Sequence, residues 1–367
     1  MSQNSSKLSS DIQWKGYAIE NTDDWSNFKV IDFKPKPAGD YDIDIKIAYC
    51  GVCGSDVHTI TGGWGAPHLP LIPGHEITGV AARVGPKVTS IKVGDRVGVG
   101  AQICSCLKCD LCKGYNEQYC PDAVDTYNGV YPDSGTVSQG GYSTAIRAHE
   151  HFVFRIPDNI KFEEASPLFC AGTTVYSPLV RHGAGPGKRV GVVGVGGLGH
   201  LALQFAKALG CADVIAFSHS PSKNEDALKM GATRVINTGE QGFESSVKGK
   251  LDLIISTVDD FGALPLQEIL STLKIGGRYI MVGLPDDNLP KMKAMDLVAK
   301  GVLLGGSKIG SRKEIVEMLK LASEKNVRPW IQVLPMKDAG KAVKALNENK
   351  VKYREVLRQD IDGKQIN

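Results

Sequence analysis

Between Cys50 and Glu76 the chain reads Cys50-Gly-Val-Cys53-Gly-Ser55-Asp56-Val-His58, followed by Gly74-His75-Glu76. Thiol, imidazole, hydroxyl and carboxylate groups crowd among glycines here, where backbone can close around an ion. Cys53 and His75 are donors of the kind zinc selects. Cys170, in Pro167-Leu-Phe-Cys170-Ala-Gly-Thr-Thr174, supplies a third. Three protein ligands leave a fourth position open to a substrate oxygen, the pattern of a catalytic zinc. Asp56 is placed to orient His75 from behind, and Glu76 lies beside the metal. Plainer readings stand next to this one. Isolated buried cysteines usually pack as small hydrophobes, which is the expectation for Cys50, and Cys50-x-x-Cys53 also has the spacing of a thiol redox pair.

A second constellation is Cys106-x2-Cys109-x2-Cys112-x7-Cys120. Four thiolates enclose one zinc tetrahedrally with no open position, so this lobe reads as structural. Its spacing also suits an iron–sulfur cluster or, more plainly, reduced surface thiols. Cys104 is outside the register and reads as a spare thiol. Nine cysteines in all, an odd number with five between positions 104 and 120, favour metal binding over disulfides.

The third is Gly194-Val-Gly196-Gly197-Leu198-Gly199. Gly-x-Gly-x-x-Gly by itself marks a tight turn. Here an apolar strand precedes it and a helical pattern follows, so the glycines read as the close approach of a pyrophosphate to a helix N-terminus. Position 218, where an acidic residue would accept the ribose hydroxyls of NAD, is serine. His219, Ser222 and Lys223 add donors and a positive charge that suit a 2′-phosphate; the plain alternative is a solvated loop opening the next helix.

The elements that must position these groups follow from periodicity. Ile43-Asp-Ile-Lys-Ile47 alternates as a half-buried strand, and short β elements separated by glycine and proline continue to about residue 160. After Pro167 the texture changes. Apolar strands at 189–194, 214–217, 251–257, 278–283 and 302–304 alternate with helical patterns at 198–209, 223–230 and 264–274, which predicts a parallel sheet covered by helices. A helix at 314–324 opens a tail of mixed elements expected to return to the first domain. The predicted domains are therefore 1–162, 163–306 and the return segment 307–367, an α/β protein of 367 residues. Charge is nearly balanced, 43 basic against 40 acidic residues, with no long basic run to suggest nucleic acid. Without a long apolar stretch or an apolar leader, a cytoplasmic protein is expected.

Gly74-His75-Glu76-x-x-Gly79, the four-cysteine lobe and the Gly194 loop together resemble the zinc-dependent medium-chain alcohol dehydrogenases. Cys50–His58, Ser138-Gln-Gly-Gly-Tyr142, Thr174–Leu179 and Gly306-Ser-Lys-Ile-Gly-Ser311 are similar to the cinnamyl alcohol dehydrogenase group, including its broad-range NADPH-dependent fungal members. Asp125 departs from the pattern, standing where the plant lignin enzymes usually carry an aromatic residue. The resemblance implies a GroES-like, mostly β catalytic domain with an inserted Rossmann domain, two zinc ions, NADP(H) and a homodimer. It implies cofactor contacts at Thr174, Thr257, Gly283, Ser307, Lys308, Ile309 and Arg354 as well. Ser55 and His58 then form a hydroxyl-to-imidazole proton relay, with turn capping as the plain alternative. The expected activity is reversible hydride transfer between the nicotinamide and primary alcohols or aldehydes. An NAD-dependent polyol dehydrogenase and a non-catalytic zinc and nucleotide-binding protein remain as the other readings.

Overall fold

The alternating stretch at Ile43–Ile47 is the middle of a ten-residue strand, β1 (Asp42–Gly51), and a seven-stranded sheet is built around it. The computed structural model describes residues 12–262, 264–284 and 288–363. In chain order, β1 is followed by helix α1 (Gly54–Ile60), then by β2 (Glu76–Val84), β3 (Arg96–Val99), β4 (Ala145–His149) and β5 (Phe154–Arg155). Next come helix α2 (Ala171–Arg181), strand β6 (Arg189–Val193), helix α3 (Gly199–Ala208), and strands β7 (Asp213–Ser218), β8 (Arg234–Asn237), β9 (Leu251–Ser256), β10 (Leu273–Met281) and β11 (Leu303–Gly306). Helix α4 (Arg312–Lys325) and the strands β12 (Ile331–Pro335) and β13 (Arg354–Arg358) complete the description.

The first sheet runs β12-β13-β1-β2-β3-β5, with β4 pairing the first half of β1. Its register is fixed by charge as well as by burial. Asp44 on β1 lies opposite Arg83 on β2 and Arg147 on β4. It accepts two hydrogen bonds from each, at 2.6 and 3.1 Å and at 2.6 and 3.0 Å. A one-residue slip would strand a buried carboxylate, so the pairing is strongly specified. Below the sheet an apolar core gathers Ile43, Ile45, Ile47, Ile77, Val97, Val99 and Leu357, all at most 1% exposed. β13 pairs antiparallel with the end of β1, placing Val356 opposite Gly51 and Leu357 opposite Cys50.

The second sheet is parallel, in the order β8-β7-β6-β9-β10-β11. β6 and β9 are buried along almost their whole length because such a sheet is covered on both faces. Where the helical pattern was read through 264–274, the helix covers only Leu266–Ser271, and Leu273 already pairs with Leu251 as the start of β10. Sheet pairing overrides the local periodicity there.

The chain divides into two compact units. One comprises residues up to Cys170, Ser311–Ser323 and Pro329 onward; the other comprises Ala171–Gly310 with Glu324–Arg328. The expected boundaries at 162/163 and 306/307 shift accordingly. The cause of the first shift is local: Thr78 on β2 donates to the Phe162 carbonyl at 3.1 Å, and Ser166 donates to the Glu76 carbonyl. Residues 162–170 are thereby tied to β2, beside His75.

Candidate metal centre and nucleotide loop

Cys53, His75, Glu76 and Cys170 bring one donor atom each to within 4.8 Å of one another, and all four are buried. β1 ends at Gly51, and Cys53 caps α1. Asp56, the third residue of that helix, accepts the Cys53 N–H at 3.0 Å. A helix N-terminus favours a thiolate. A hydrogen bond from the Cys170 thiol, together with the nearby His75 imidazole, holds Cys53 well below the usual thiol range. The same bond, with burial, pushes Cys170 up.

His75 opens β2. Its Nδ1 lies 3.1 Å from Asp56 Oδ1 and its Nε2 3.1 Å from Cys170 Sγ. Burial alone would lower this imidazole, but the Asp56 carboxylate overrides it and raises the group well above its ordinary value. With Nδ1 turned to Asp56, Nε2 faces Cys170 and is the nitrogen placed to bind a metal. Glu76 is wholly buried. One of its oxygens accepts from Arg354 while Oε2 has no partner, and burial raises its carboxyl to about 7 against the pull of Arg354. The donor set suits zinc: a tetrahedron with ligand bonds of about 2.0 to 2.3 Å has an N···S edge of about 3.6 Å, so the His75 Nε2 and Cys170 Sγ atoms, 3.1 Å apart, need part by only about half an ångström to take an ion.

Arg354 was expected among the cofactor contacts. Its side chain is only 4% exposed and is ion-paired with Glu76, because β13 delivers it to the metal group. Sequence reasoning also missed Tyr142, whose hydroxyl donates to Asp56 at 3.2 Å, and Tyr127, whose ring lies 5.7 Å from that of His75. A buried carboxylate calls for donors, but nothing in the sequence says which. Ser55 lies 3.7 Å from Cys53 Sγ, and His58 follows it by three positions on the same face of α1. The His58 ring stacks on Trp64, with centroids 4.9 Å apart and planes 3° from parallel. Asp125 is exposed at the end of a two-stranded ribbon, Gln102–Cys104 with Val124–Asp125, at the neck of the cysteine lobe.

In the lobe, the Cys109–Cys112 and Cys106–Cys120 sulfurs are 3.5 Å apart, and the Cys106–Cys112 and Cys109–Cys120 pairs 3.9 Å. Tetrahedral Zn–S bonds of about 2.3 Å imply S···S edges of about 3.8 Å, so the four thiols fit one zinc with no open position. The N–H groups of Lys108 and Cys109 hold the Cys106 thiol down to about 6. Cys104 lies outside the cluster.

In the second unit, Gly194 adopts φ +87° between β6 and α3, and its N–H bonds to Phe217 O at 3.0 Å. A Cβ on Gly199 would stand 1.8 Å from the Gly194 carbonyl, whereas one on Gly196 would meet nothing within 4 Å. Thr257 donates to the Val193 and Gly194 carbonyls at 3.1 and 3.0 Å, and Gly283 approaches the Val258 carbonyl as only glycine can. Gly197 and Leu198 complete the turn into α3. Ser218 ends β7 next to this loop, bonded to Ser220, whose hydroxyl lies 2.8 Å from that of Ser222. His219 and Lys223 are exposed. Thr174 is buried on α2, while Ser307 to Ile309 follow β11, Ile309 with φ +39°.

Profiles of two families match the chain: the alcohol dehydrogenase GroES-like domain over residues 39–158 and the zinc-binding dehydrogenase over residues 197–324. The chain belongs to the zinc-binding alcohol dehydrogenase family. It is 45% identical over 350 residues to an NADP-dependent alcohol dehydrogenase of Saccharomyces cerevisiae, covering 94% of this chain and 96% of that one. A cinnamyl alcohol dehydrogenase from Sorghum bicolor superposes with a TM-score of 0.89 at 36% identity, over 97% of this chain and 100% of the other. One from Helicobacter pylori, in complex with NADP(H), gives 0.86 at 36%, over 96% and 99%. The GroES-like and Rossmann-type architecture read from the sequence is thus the architecture of this alcohol dehydrogenase, and among the described residues no helix is long and apolar enough to cross a membrane.

Proposed function

We propose that the protein is an NADP(H)-dependent alcohol dehydrogenase and aldehyde reductase of broad primary-alcohol range, including aromatic and cinnamyl aldehydes. The observation that carries the reading is the buried Cys53, His75 and Cys170 set, with His75 oriented by Asp56. Bound in this family's manner, zinc supplies a Lewis acid for the carbonyl oxygen and NADPH supplies the hydride. The chain's own residues do the rest. Cys53, His75 and Cys170 hold the metal, Asp56 fixes the imidazole, and Arg354 balances the charge of Glu76. Ser55 passes a proton between the product oxygen and His58. Cys106, Cys109, Cys112 and Cys120 hold a second, structural zinc.

Thr174, Gly194, Gly196, Gly197, Leu198, Gly199, Thr257, Gly283, Ser307, Lys308 and Ile309 serve the nucleotide. Ser218, His219, Ser222 and Lys223 serve its 2′-phosphate: the residue ending β7 is a hydroxyl rather than a carboxylate, and the relative from Saccharomyces cerevisiae is named as NADP-dependent. The enzyme works in the cytosol as a homodimer. Its nine cysteines are all unpaired, which suits a reducing compartment. Edge strand β11, with Leu303 56% exposed beside Met295 at 65% and Val298 at 73%, offers a second copy an apolar edge.

The test is kcat/KM for NADPH and NADH with a panel of aliphatic, aromatic and cinnamyl aldehydes. NADPH is expected to win, and Ser218→Asp should lower kcat/KM for NADPH far more than for NADH. Equal values for the two cofactors in the unmodified protein would overturn the cofactor assignment.

A further inference from the structure

Asp56 does more than face His75. Its carboxylate is 0% exposed, and its oxygens collect donors from several directions. Oδ2 accepts the Cys53 N–H at 3.0 Å and the Tyr142 hydroxyl at 3.2 Å; Oδ1 faces the Gly74 N–H at 3.2 Å and His75 Nδ1 at 3.1 Å. Such a carboxylate has about four acceptor sites, so it is saturated. The Cys53, Gly74 and His75 donors come from the ligand-bearing segments themselves, but the Tyr142 phenol comes from elsewhere.

Tyr142 is firmly placed. It is 0% exposed, and its backbone runs along the strand of chain that delivers His75. The N–H groups of Gly140, Gly141 and Tyr142 bond to the carbonyls of Ile72, Gly74 and Pro73 at 2.7, 2.7 and 3.0 Å. The contact is too close for side chains on either partner: a Cβ on Gly74 would stand 2.5 Å from the Tyr142 ring, and one on Gly141 2.8 Å from Cys50 Sγ. The segment 140–142 is therefore a rigid backing for the loop before His75, and it ends in a hydroxyl aimed at the carboxylate that orients His75.

We propose that Tyr142 is a positioning residue of the metal centre, its phenol pinning Asp56 so that the His75 imidazole and the Cys53 loop are held in ligand geometry. The proposal rests on the reading of Cys53, His75 and Cys170 as a metal site. A partner that orients a ligand from behind typically contributes about 10- to 100-fold in metal affinity. Tyr142→Phe, which keeps the ring and removes only the hydroxyl, should therefore lose metal to excess chelator about tenfold faster than the parent.

The experiment uses the full chain loaded with cobalt, whose visible bands report ligand geometry, with dipicolinate as chelator. Tyr17→Phe is the control, because its hydroxyl donates to Asp360 at 3.0 Å and not to Asp56. Tyr142→Phe is expected to speed release and shift the cobalt bands while Tyr17→Phe does neither. In an Asp56→Asn background the added effect of Tyr142→Phe should vanish, since both act through one contact. Parent-like release and bands in Tyr142→Phe would overturn the proposal, as would an undiminished effect in that background. A parent chain taking up one cobalt ion, on the four cysteines alone, would overturn the metal reading itself and this proposal with it.

Discussion

Gly199 and Gly196 separate what the fold requires from what a nucleotide requires. A methyl at 199 would lie 1.8 Å from the Gly194 carbonyl oxygen and 3.2 Å from Thr257 Oγ1. Neither can rotate away, because one is main chain and the other holds that same main chain at 3.0 Å. Gly199→Ala must lever α3 off β6, an overpacking cost of about 3 kcal/mol. At roughly 2 to 4 °C per kcal/mol, the melting temperature should fall by about 6 to 12 °C. A methyl at 196 meets no atom within 4 Å, and its φ lies outside the left-handed range. Gly196→Ala should leave the melting temperature unchanged or raise it slightly, by restricting the unfolded chain. It nevertheless fills the space through which backbone approaches a pyrophosphate. NADPH affinity should fall at least tenfold, about 1.4 kcal/mol. Thermal unfolding without cofactor, and calorimetric titration with NADPH at a temperature where both variants are folded, measure the two effects. A Gly196→Ala variant that binds NADPH as the parent does, or a Gly199→Ala variant that melts with the parent, would refute the reasoning.

Metal analysis of Cys170→Ala should show one zinc lost and turnover abolished in a folded, nucleotide-binding protein, whereas Cys109→Ala should chiefly lower stability. Two zinc ions in Cys170→Ala would be the contrary result. His58→Ala should slow turnover most where proton transfer limits the rate, with partial rescue by imidazole, while Trp64→Ala, which removes the stacked partner 4.9 Å away, should give a milder form of the same pH–rate change. An unchanged profile in His58→Ala would make it a structural residue. For Asp44, burial pushes the carboxyl up, but the Arg147 and Arg83 donors outweigh it and hold it below the ordinary range. Its contribution is therefore present above the unfolded value of about 4 and lost as pH falls through the folded one. Asp44→Asn should destabilise by about 3 to 5 kcal/mol at pH 7, and denaturant titrations should show the gap from the parent closing in acid. A gap that widens in acid would reverse the assignment.

What was legible in the sequence was local. The ligands Cys53, Cys106, Cys109 and Cys112 sit within a few residues of their neighbours in tight turns, so spacing carries their geometry; the Gly194 loop likewise lies between one strand and one helix. What was not legible depends on partners far along the chain. Nothing in Tyr353-Arg354 reveals that β13 will pair with β1 and bring Arg354 to Glu76, 278 positions earlier. The four-residue β8 is too short for periodicity to show. Helix α2 was not read as a helix, since Thr173, Thr174 and an internal Pro178 give it poor intrinsic propensity; tertiary packing, with nine of its eleven residues buried, supplies what propensity does not.

The place of β13 sets an order in time. During synthesis β1 and β2 emerge early, but the strand that closes the open edge of β1 and carries the cation for Glu76 emerges 278 residues after that carboxylate. At about 5 to 20 residues per second, the interval is roughly a quarter of a minute to a minute. Throughout it the β1 edge at Tyr49–Gly51 is unpaired and the Glu76 carboxylate lacks its counter-charge, and before it ends the parallel sheet has all six of its strands. A nascent chain can thus finish its second unit before its first, and a chain that stops short of Arg354 carries an open strand edge that marks it for a chaperone or a protease.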